Sequence, residues 1–346
     1  MQTKSLQQLK RALSVALFVL LLSVAGMKNA LAQNQVATLQ HNDTITGVFY
    51  GQNAFVSAYN AAVNGDIITL SSGTFNKCDI NKGITIRGAG CVYDTLTNVM
   101  PTIIAGEFRI QSDNTSFEGI WFTGNVLTSW ERTLQSNVRF LKCYINSLNA
   151  SDRYITMYRM DFQFVNCIVK MFGSYKFYGT SIINSVIRFT SNTHTDIYNP
   201  TNIYNSIVLF DDGKPVQNNV AYNSIIATVS GHTVSNCSFF NCIGIETGET
   251  LLFEGQTAQN VMEVNSYSEV FETFDGTISY ENIYQLKNDI ATSFLGHDGT
   301  EVGIYGGIIP YKTRPPYMIL KNCNVAGQTD ENKKLNVEME LIGPED

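Results

Sequence analysis

One seven-residue pattern recurs along the middle of the chain and constrains its fold more than any other feature. The pattern reads apolar, apolar, Asn, small, apolar, apolar, variable, and successive copies are separated by 24, 18, 21, 18 and 18 residues. A sequence period near twenty residues is typical of a solenoid, in which each repeat adds one structural unit. The copies are FLKCYIN (140–146), FVNCIVK (164–170), IINSVIR (182–188), IYNSIVL (203–209), AYNSIIA (221–227) and FFNCIGI (239–245).

The residue types of the repeat predict β-strands. Ile, Val, Phe and Tyr dominate the copies, and no apolar-periodic stretch between them is long enough for an ordinary helix. Each repeat should therefore add one coil to a parallel β-helix, with a rise of about 4.8 Å per coil. We expect an all-β solenoid.

The third position of the repeat predicts a tight bend between two short strands. After Gly, Asn adopts the left-handed backbone conformation at the lowest cost, and stacked Asn side chains could hydrogen-bond along the solenoid. The bend shifts the alternation, so positions one, four and six should face inward and positions two and five outward. Position four is always Cys or Ser, which fits a crowded interior corner.

Positions two and five are apolar as well, which predicts a long apolar stripe on the outside of the solenoid. A stripe of that size is rarely left exposed to water, so the C-terminal tail or a second chain should cover it. The alternative is that β-branched residues simply fill strand positions. If the stripe is present, we expect the tail to dock on it or the protein to self-associate through it.

The first 32 residues resemble an export signal. Lys4, Lys10 and Arg11 precede an apolar run at 12–26, and Ala30-Leu31-Ala32 forms an A-x-A cleavage site. An N-terminal membrane anchor is the alternative. No other stretch is apolar enough to span a membrane. We expect an exported protein that is periplasmic, at the outer surface or extracellular.

Charge and cysteine content narrow the possible partners and the redox chemistry. The formal net charge is −7, and removing residues 1–32 takes away four cations and no acid, leaving about −11, which argues against a nucleic-acid partner. Cys143, Cys167 and Cys242 share their repeat position with serines. They are therefore predicted to be buried free thiols, although disulfides are the usual expectation in an exported protein.

Before the repeats, the chain resembles the entry to the pectin lyase-like right-handed parallel β-helix superfamily, as found in secreted Bacteroides-type proteins. The similarity is carried by an amphipathic stretch at 52–64 followed by GDIITLSSGTF (65–75) and GITIRGAG (83–90). It implies that a helix near 52–64 caps the open end, because an uncapped coil exposes unpaired strand edges. HDGTEVGIYGG (297–307) resembles the closing coil of such proteins.

These features predict a three-part organisation: a signal peptide at 1–32, a β-helix domain at 33–310 and a C-terminal β-strand tail at 311–346. In the tail, apolar residues alternate with polar ones from 335 to 341, and this strand could pair with 318–325 and cover the apolar stripe. Residues 246–295 interrupt the repeat as a loop, a degenerate coil or a short helix.

The resemblance does not select an activity, because lyases, hydrolases, esterases and adhesins share this scaffold. We expect an exported surface protein that contacts glycans along a solenoid face. The alternatives are a polysaccharide lyase or other carbohydrate-active enzyme acting on acidic polysaccharide, and a structural subunit of a surface assembly. A lyase should show cations and acids converging in a groove, whereas a binding protein should show a flat aromatic or apolar face.

Cations and tyrosines next to the repeats are the candidate ligand-binding residues, because together they suit an acidic sugar chain. No catalytic residue can be assigned, and no metal or cofactor is indicated by ligand spacing. Ca²⁺ would be expected only for a lyase, to neutralise a uronate carboxylate. The alternative is that these are ordinary outward residues on strands. The candidates are Arg153, Tyr158, Arg159, Lys176, Tyr178 and Tyr198.

Overall fold

The chain folds as a parallel β-solenoid, which confirms the predicted fold class. Successive coils stack in parallel register, with the same repeat position of each coil directly beside that of the next. A computed structural model describes residues 35–95, 98–128, 135–150, 160–173, 179–190, 201–211, 216–228, 234–246, 252–313, 319–329 and 335–342.

The N-terminal end of the solenoid is capped by a hairpin and a helix. Strands β1 (Val36–His41) and β2 (Thr44–Tyr50) pair antiparallel, and β1 also pairs antiparallel with the first coil strand, β3 (Ile67–Leu70). Helix α1 (Ala54–Ala61) buries its apolar face in the interior. The cap therefore satisfies both the strand edge and the open core of the first coil.

The capping helix is shorter than the predicted 52–64. It ends at Ala61, and Val63, expected on its buried face, is 53 % exposed. The Val63 N–H donates to the Asp66 carboxylate at 2.8 Å. The Lys82 ammonium donates to the Tyr59 and Ala62 carbonyls, each at 2.8 Å, and so caps the helix C-terminus.

The solenoid strands follow in chain order and form two main parallel sheets joined at the bend. They are β4 (Gly73–Asn76), β5 (Thr85–Arg87), β6 (Thr102–Ala105), β7 (Phe108–Ile110), β8 (Thr115–Glu118), β9 (Trp121–Thr128), β10 (Gln135–Leu141), β11 (Tyr144–Ala150), β12 (Met160–Val165), β13 (Ile168–Gly173), β14 (Ser181–Ile183), β15 (Val186–Thr190), β16 (Asn202–Tyr204), β17 (Ile207–Phe210), β18 (Val216–Gln217), β19 (Val220–Tyr222), β20 (Ile225–Thr228), β21 (Val234–Ser235), β22 (Ser238–Glu246) and β23 (Thr257–Val264).

We name the two main sheets by their surroundings. The open sheet precedes the bend and contains β3, β5, β8, β10, β12, β14, β16, β19 and the first halves of β22 and β23. The covered sheet follows the bend and contains β4, β6, β9, β11, β13, β15, β17, β20 and the second halves of β22 and β23. Strand β7 pairs with the end of β9, and β18 pairs with β21.

The bend has the predicted left-handed conformation. Gly119 and all six third-position residues have positive φ, and each is followed by the turn into the covered sheet. The predicted ladder of hydrogen bonds between the repeat Asn side chains is not found among the described residues. A bond of that kind occurs instead in another column, where Asn137 Nδ2 donates to Asn114 Oδ1 at 2.8 Å. Among the described residues, the side chains of Asn184, Asn223 and Asn241 bond instead to a segment outside the solenoid. The bend residues are Lys142, Asn166, Asn184, Asn205, Asn223 and Asn241.

Positions one, four and six face the interior, as predicted. At position one, the Phe140 ring stacks between those of Phe117 and Phe164, with centroid distances of 5.1 and 5.4 Å. At position four, the Ser185 hydroxyl accepts the backbone N–H of Cys167 at 2.9 Å. This small-residue column satisfies polar groups at the crowded corner.

The position-four cysteines are buried free thiols, as predicted. Burial raises the pKa of Cys242 to about 12, so this thiol is protonated at neutral pH. Two thiols outside the repeat, Cys78 and Cys91, are also free, and burial raises the pKa of each to about 12. The structure does not describe the side chain of Cys323.

The position-five stripe is covered, but by a different segment from the predicted tail. Its residues form an apolar cluster with residues from 262 to 311, which include helices α2 (Tyr267–Val270) and α3 (Asn288–Ser293). The region that interrupts the repeat therefore supplies one further coil strand, β23, and then folds back along the solenoid as a cover. The stripe consists of Tyr144, Ile168, Val186, Ile207, Ile225 and Ile243.

The tail forms the predicted hairpin. Strand β24 (Ile319–Thr329) pairs antiparallel with β25 (Leu335–Ile342), and in the described part of the chain these two strands pair only with each other. The segment that covers the position-five stripe precedes the tail in the sequence, because aromatic and aliphatic residues between 262 and 311 pack against the stripe.

The prediction that 297–307 forms a closing coil is wrong. This segment lies across the bend residues: the His297 N–H donates to Asn223 Oδ1 at 2.9 Å, and Asn184 Nδ2 donates to the carbonyls of Ile304 and Gly306 at 2.9 and 2.7 Å. Its glycines permit this close approach, since a Cβ on Gly306 or on Gly307 would lie 3.0 Å from the Asn205 side chain.

Candidate ligand-binding face

The six predicted ligand-binding residues lie outside the described residues, so they stay predictions. The strand ends that flank their segments are aligned in the covered sheet, where Asn149 pairs with Gly173 and Gly173 with Thr190. The undescribed residues are Arg153, Tyr158, Arg159, Lys176, Tyr178 and Tyr198.

A charged cluster joins the covered sheet to the cover. Arg188 Nε lies 3.4 Å from Asp211 Oδ2, and the Arg188 guanidinium donates to the Gly276 carbonyl. Burial raises the pKa of the neighbouring Tyr267 to about 12, so its phenol is protonated at neutral pH. Because Arg188 is already bonded to the cover, this cluster anchors the cover and offers no uncommitted base for proton abstraction.

Two carboxylates lie on adjacent coils near the C-terminal end. Burial, with a smaller contribution from the Glu263 carboxylate, raises the pKa of Glu246 to about 7. Such a pair could in principle divide acid and base roles. However, Glu246 continues the inward column of Phe210 and Thr228, and it is 8 % exposed. Glu246 therefore faces the solenoid interior and not a substrate cleft, whereas Glu263 is exposed and accepts the Phe253 N–H at 2.9 Å.

Within the described ranges, no group of three His, Cys, Asp or Glu residues is arranged to hold a metal ion. No described helix is both long and apolar enough to cross a bilayer.

The outer face of the open sheet carries an aromatic column. Tyr204 stacks on Tyr222 at a centroid distance of 5.4 Å, and Tyr222 stacks on Phe240 at 4.8 Å, with nearly parallel rings. These are position-two residues, and the same line of the sheet continues through Ile183 to Val165. Tyr204 is 38 % exposed, whereas the position-five residue of its coil, Ile207, is 1 % exposed.

A polar column runs beside the aromatic column, two residues earlier in each strand. Its members are in register across neighbouring coils and are half-buried or exposed. Their side chains have no hydrogen-bond partner among the described residues, and neither do the hydroxyls of Tyr204 and Tyr222. Apart from Val220, every member carries a hydroxyl or an amide. The column comprises Gln163, Ser181, Asn202, Val220, Ser238 and Thr257.

The N-terminal part of this face has a different character. Arg87 and Glu118 occupy the line of the aromatic column on neighbouring coils, and Arg87 Nε lies 3.0 Å from Glu118 Oε2. Charge is thus paired at this end of the face, and the exposed Arg139 adds a cation beside Gln163. From Gln163 onward, the two columns consist of apolar and uncharged polar groups. The described residues of this face do not gather cations and acids into a groove.

Sequence reasoning placed position two on the outside but did not single out this face. The available signal was the aromatic residue at that position in the last three copies, combined with a polar residue two places before it in two of those copies. Comparisons with protein families, curated proteins and solved structures found no match.

Proposed function

We propose that this chain is an exported surface protein of the pectin lyase-like superfamily that binds a linear polysaccharide along the open sheet. The observation that supports the proposal is the column of Tyr204, Tyr222 and Phe240 beside a column of unpartnered hydroxyl and amide groups. A sugar unit likewise combines apolar C–H surface with hydrogen-bonding hydroxyls. The two columns match these two properties side by side.

The repeating geometry favours a polymer over a single sugar. Aromatic contacts recur at 5.4 and 4.8 Å, once per coil, so a chain lying along the solenoid would meet the same pair of columns repeatedly. Because the rings stack on one another, they present mainly their rims and hydroxyls. Each contact is therefore weak, and affinity should come from several contacts made together.

Binding is best tested with the protein lacking residues 1–32 and a panel of neutral and uronate polysaccharides in affinity electrophoresis. The double variant Tyr204→Ala/Tyr222→Ala should weaken retention about tenfold or more by removing two neighbouring contacts. Tyr50→Ala is the matched control, because Tyr50 is 69 % exposed on the N-terminal hairpin. Equal retention of the double variant, or no retention by any polysaccharide, would refute the proposal.

The same samples discriminate the lyase alternative. Growth of unsaturated-uronate absorbance, with or without Ca²⁺, would identify a lyase and direct mutation to Arg153, Arg159 and Lys176. Unchanged absorbance together with retention on the gel would support binding without catalysis.

A second candidate is a structural subunit of a surface assembly. Within the described part of the chain, β23 pairs with β22 on one side only, and Ala258 and Gln259 on it are exposed. An unpaired strand edge is a template for another strand. Sedimentation analysis of the wild type and Ala258→Lys would test this: a monomeric wild type excludes self-association through β23.

A further inference from the structure

We propose that a polar pocket near the N-terminal cap is a second binding site and takes one unit of a neutral saccharide. The pocket has a volume of about 510 Å³ and lies where three successive turns lead into β3, β5 and β8. It is separate from the aromatic column, so it goes beyond the proposed function. Its lining comprises Asn64, Gly65, Asn81, Gly83, Ser112, Asp113 and Asn114.

Three amide side chains in the pocket have their oxygen atoms committed to the fold. Asn64 Oδ1 accepts the Gly83 N–H at 3.0 Å, and Asn81 Oδ1 accepts the Tyr59 hydroxyl at 2.8 Å. Asn114 Oδ1 accepts from the Asn137 amide, as described above. These bonds fix the orientation of each amide and leave its NH₂ group without a partner in the described part of the chain. The pocket therefore presents hydrogen-bond donors.

One carboxylate supplies the complementary acceptor. Asp113 Oδ1 accepts the backbone N–H of Ser136 at 2.8 Å, while the other oxygen has no such bond among the described residues. Donors and an acceptor thus line the same pocket. A hydroxyl group can both donate and accept, so neighbouring hydroxyls of a sugar ring suit this arrangement.

The charge balance selects a neutral ligand. The nearby Lys82 ammonium donates to the carbonyls of Tyr59, Asn60 and Ala62 at 2.8, 3.3 and 2.8 Å, which uses its three N–H groups at the helix end. No pocket-lining residue is a cation. An anionic sugar would therefore be repelled by the Asp113 carboxylate, and no uncommitted cation lines the pocket to offset that repulsion. A metal ion would face the outward NH₂ groups, which are hydrogen-bond donors and not ligands.

The base of the pocket is held by close backbone packing. A Cβ on Gly83 would lie 2.6 Å from the Asp113 carbonyl oxygen, so the two turns approach as closely as Gly allows. The lining groups are thus placed before any ligand arrives, which lowers the entropic cost of binding.

The test uses calorimetric titration of the protein lacking residues 1–32 with gluco-, manno- and xylo-hexaose, and with galacturonate trimer as the anionic comparator. Asn64→Asp and Asn114→Asp keep the acceptor oxygen that the fold uses and replace the free NH₂ donor with an oxygen. We expect at least one neutral hexaose to bind, with affinity lowered tenfold or more in each variant.

Asn53→Asp is the matched control, since Asn53 Oδ1 accepts from Asn76 Nδ2 at 2.7 Å and lies outside the pocket. Failure of every neutral hexaose to bind at millimolar concentration would overturn the inference, as would unchanged affinity in both pocket variants or tighter binding of the galacturonate. The Tyr204→Ala/Tyr222→Ala variant should bind hexaose at the pocket normally, so this inference and the proposed function can fail independently.

Discussion

The two sheets of one coil show how similar apolar residues acquire different roles. Tyr204 and Ile207 lie three residues apart on either side of the Asn205 bend, and both point away from the interior. Ile207 is enclosed by the cover, whereas Tyr204 is accessible. The repeat therefore builds two equivalent apolar stripes, and a distant segment decides which one becomes core. The other is left available for recognition.

The largest difference between the sheets should appear on truncating this pair. Ile207→Ala should cost about 2–5 kcal/mol, because it leaves a cavity between the solenoid and the cover. Tyr204→Ala should cost roughly 1 kcal/mol, mainly from lost ring stacking. Urea denaturation followed by circular dichroism measures both. Equal losses would mean that the two stripes are equally buried in solution.

The attachment of the cover provides the next test. Asn184→Ala removes two donors and leaves the Ile304 and Gly306 carbonyls unsatisfied, at a cost of roughly 2–3 kcal/mol. Hydrogen exchange should accelerate in residues 295–311 and stay unchanged in the open sheet.

Asn236→Ala is the control for the backbone strain that arises when Ala replaces an Asn in the left-handed conformation. Asn236 has φ of 53°, close to the 45° of Asn184, but its exposed side chain bonds only to Asn218 among the described residues. If both variants accelerate exchange in the cover equally, the side-chain bonds of Asn184 do not hold it.

A smaller and pH-dependent effect is expected at the C-terminal end of the covered sheet. Glu246 has its pKa raised from 4.5 to about 7, so between these values the native state keeps a proton that the unfolded state releases. Wild-type stability should therefore fall as pH rises through this range. Glu246→Gln should remove that slope and raise the melting temperature by a few degrees at pH 8 but not at pH 4. Parallel melting curves of the two proteins against pH would contradict the assignment.

The smallest stability effects belong to the polar column of the open sheet. Ser181→Ala and Asn202→Ala should change the free energy of unfolding by no more than about 0.5 kcal/mol, because neither side chain bonds to the described protein. Both should still weaken polysaccharide retention. A loss of stability without a change in retention would mean that this column stabilises the fold and does not bind polysaccharide.

The parts of this fold that could be predicted are those that repeat. The Asn bend, the inward small residues and the outward stripes each follow from local geometry, so six copies reinforce one another. The cover has no period, and its contacts join distant residues: Asn184 and Ile304 are 120 positions apart. Its apolar residues between 262 and 311 could be seen in the sequence, but nothing local specified the stripe on which they would pack.

The candidate site was less predictable for a similar reason. Tyr204, Tyr222 and Phe240 could be assigned to the outside from their repeat position, but their accessibility depended on where the cover would lie. The pocket at Asn64, Asn81 and Asn114 arises from turns that share no repeat pattern. Its donor character became visible only from the bonds that occupy the amide oxygens.

The segment that lies across the bend residues also limits where a coil can be added to the solenoid. Leu295 contacts Asn241, His297 contacts Asn223, Gly307 lies against Asn205 and Ile304 contacts Asn184, so one non-repeating segment spans four consecutive coils. Solenoids ordinarily lengthen by duplication of a coil. A coil inserted between Asn184 and Asn241 would displace these contacts by one step, so growth by duplication is compatible with this architecture only outside that interval.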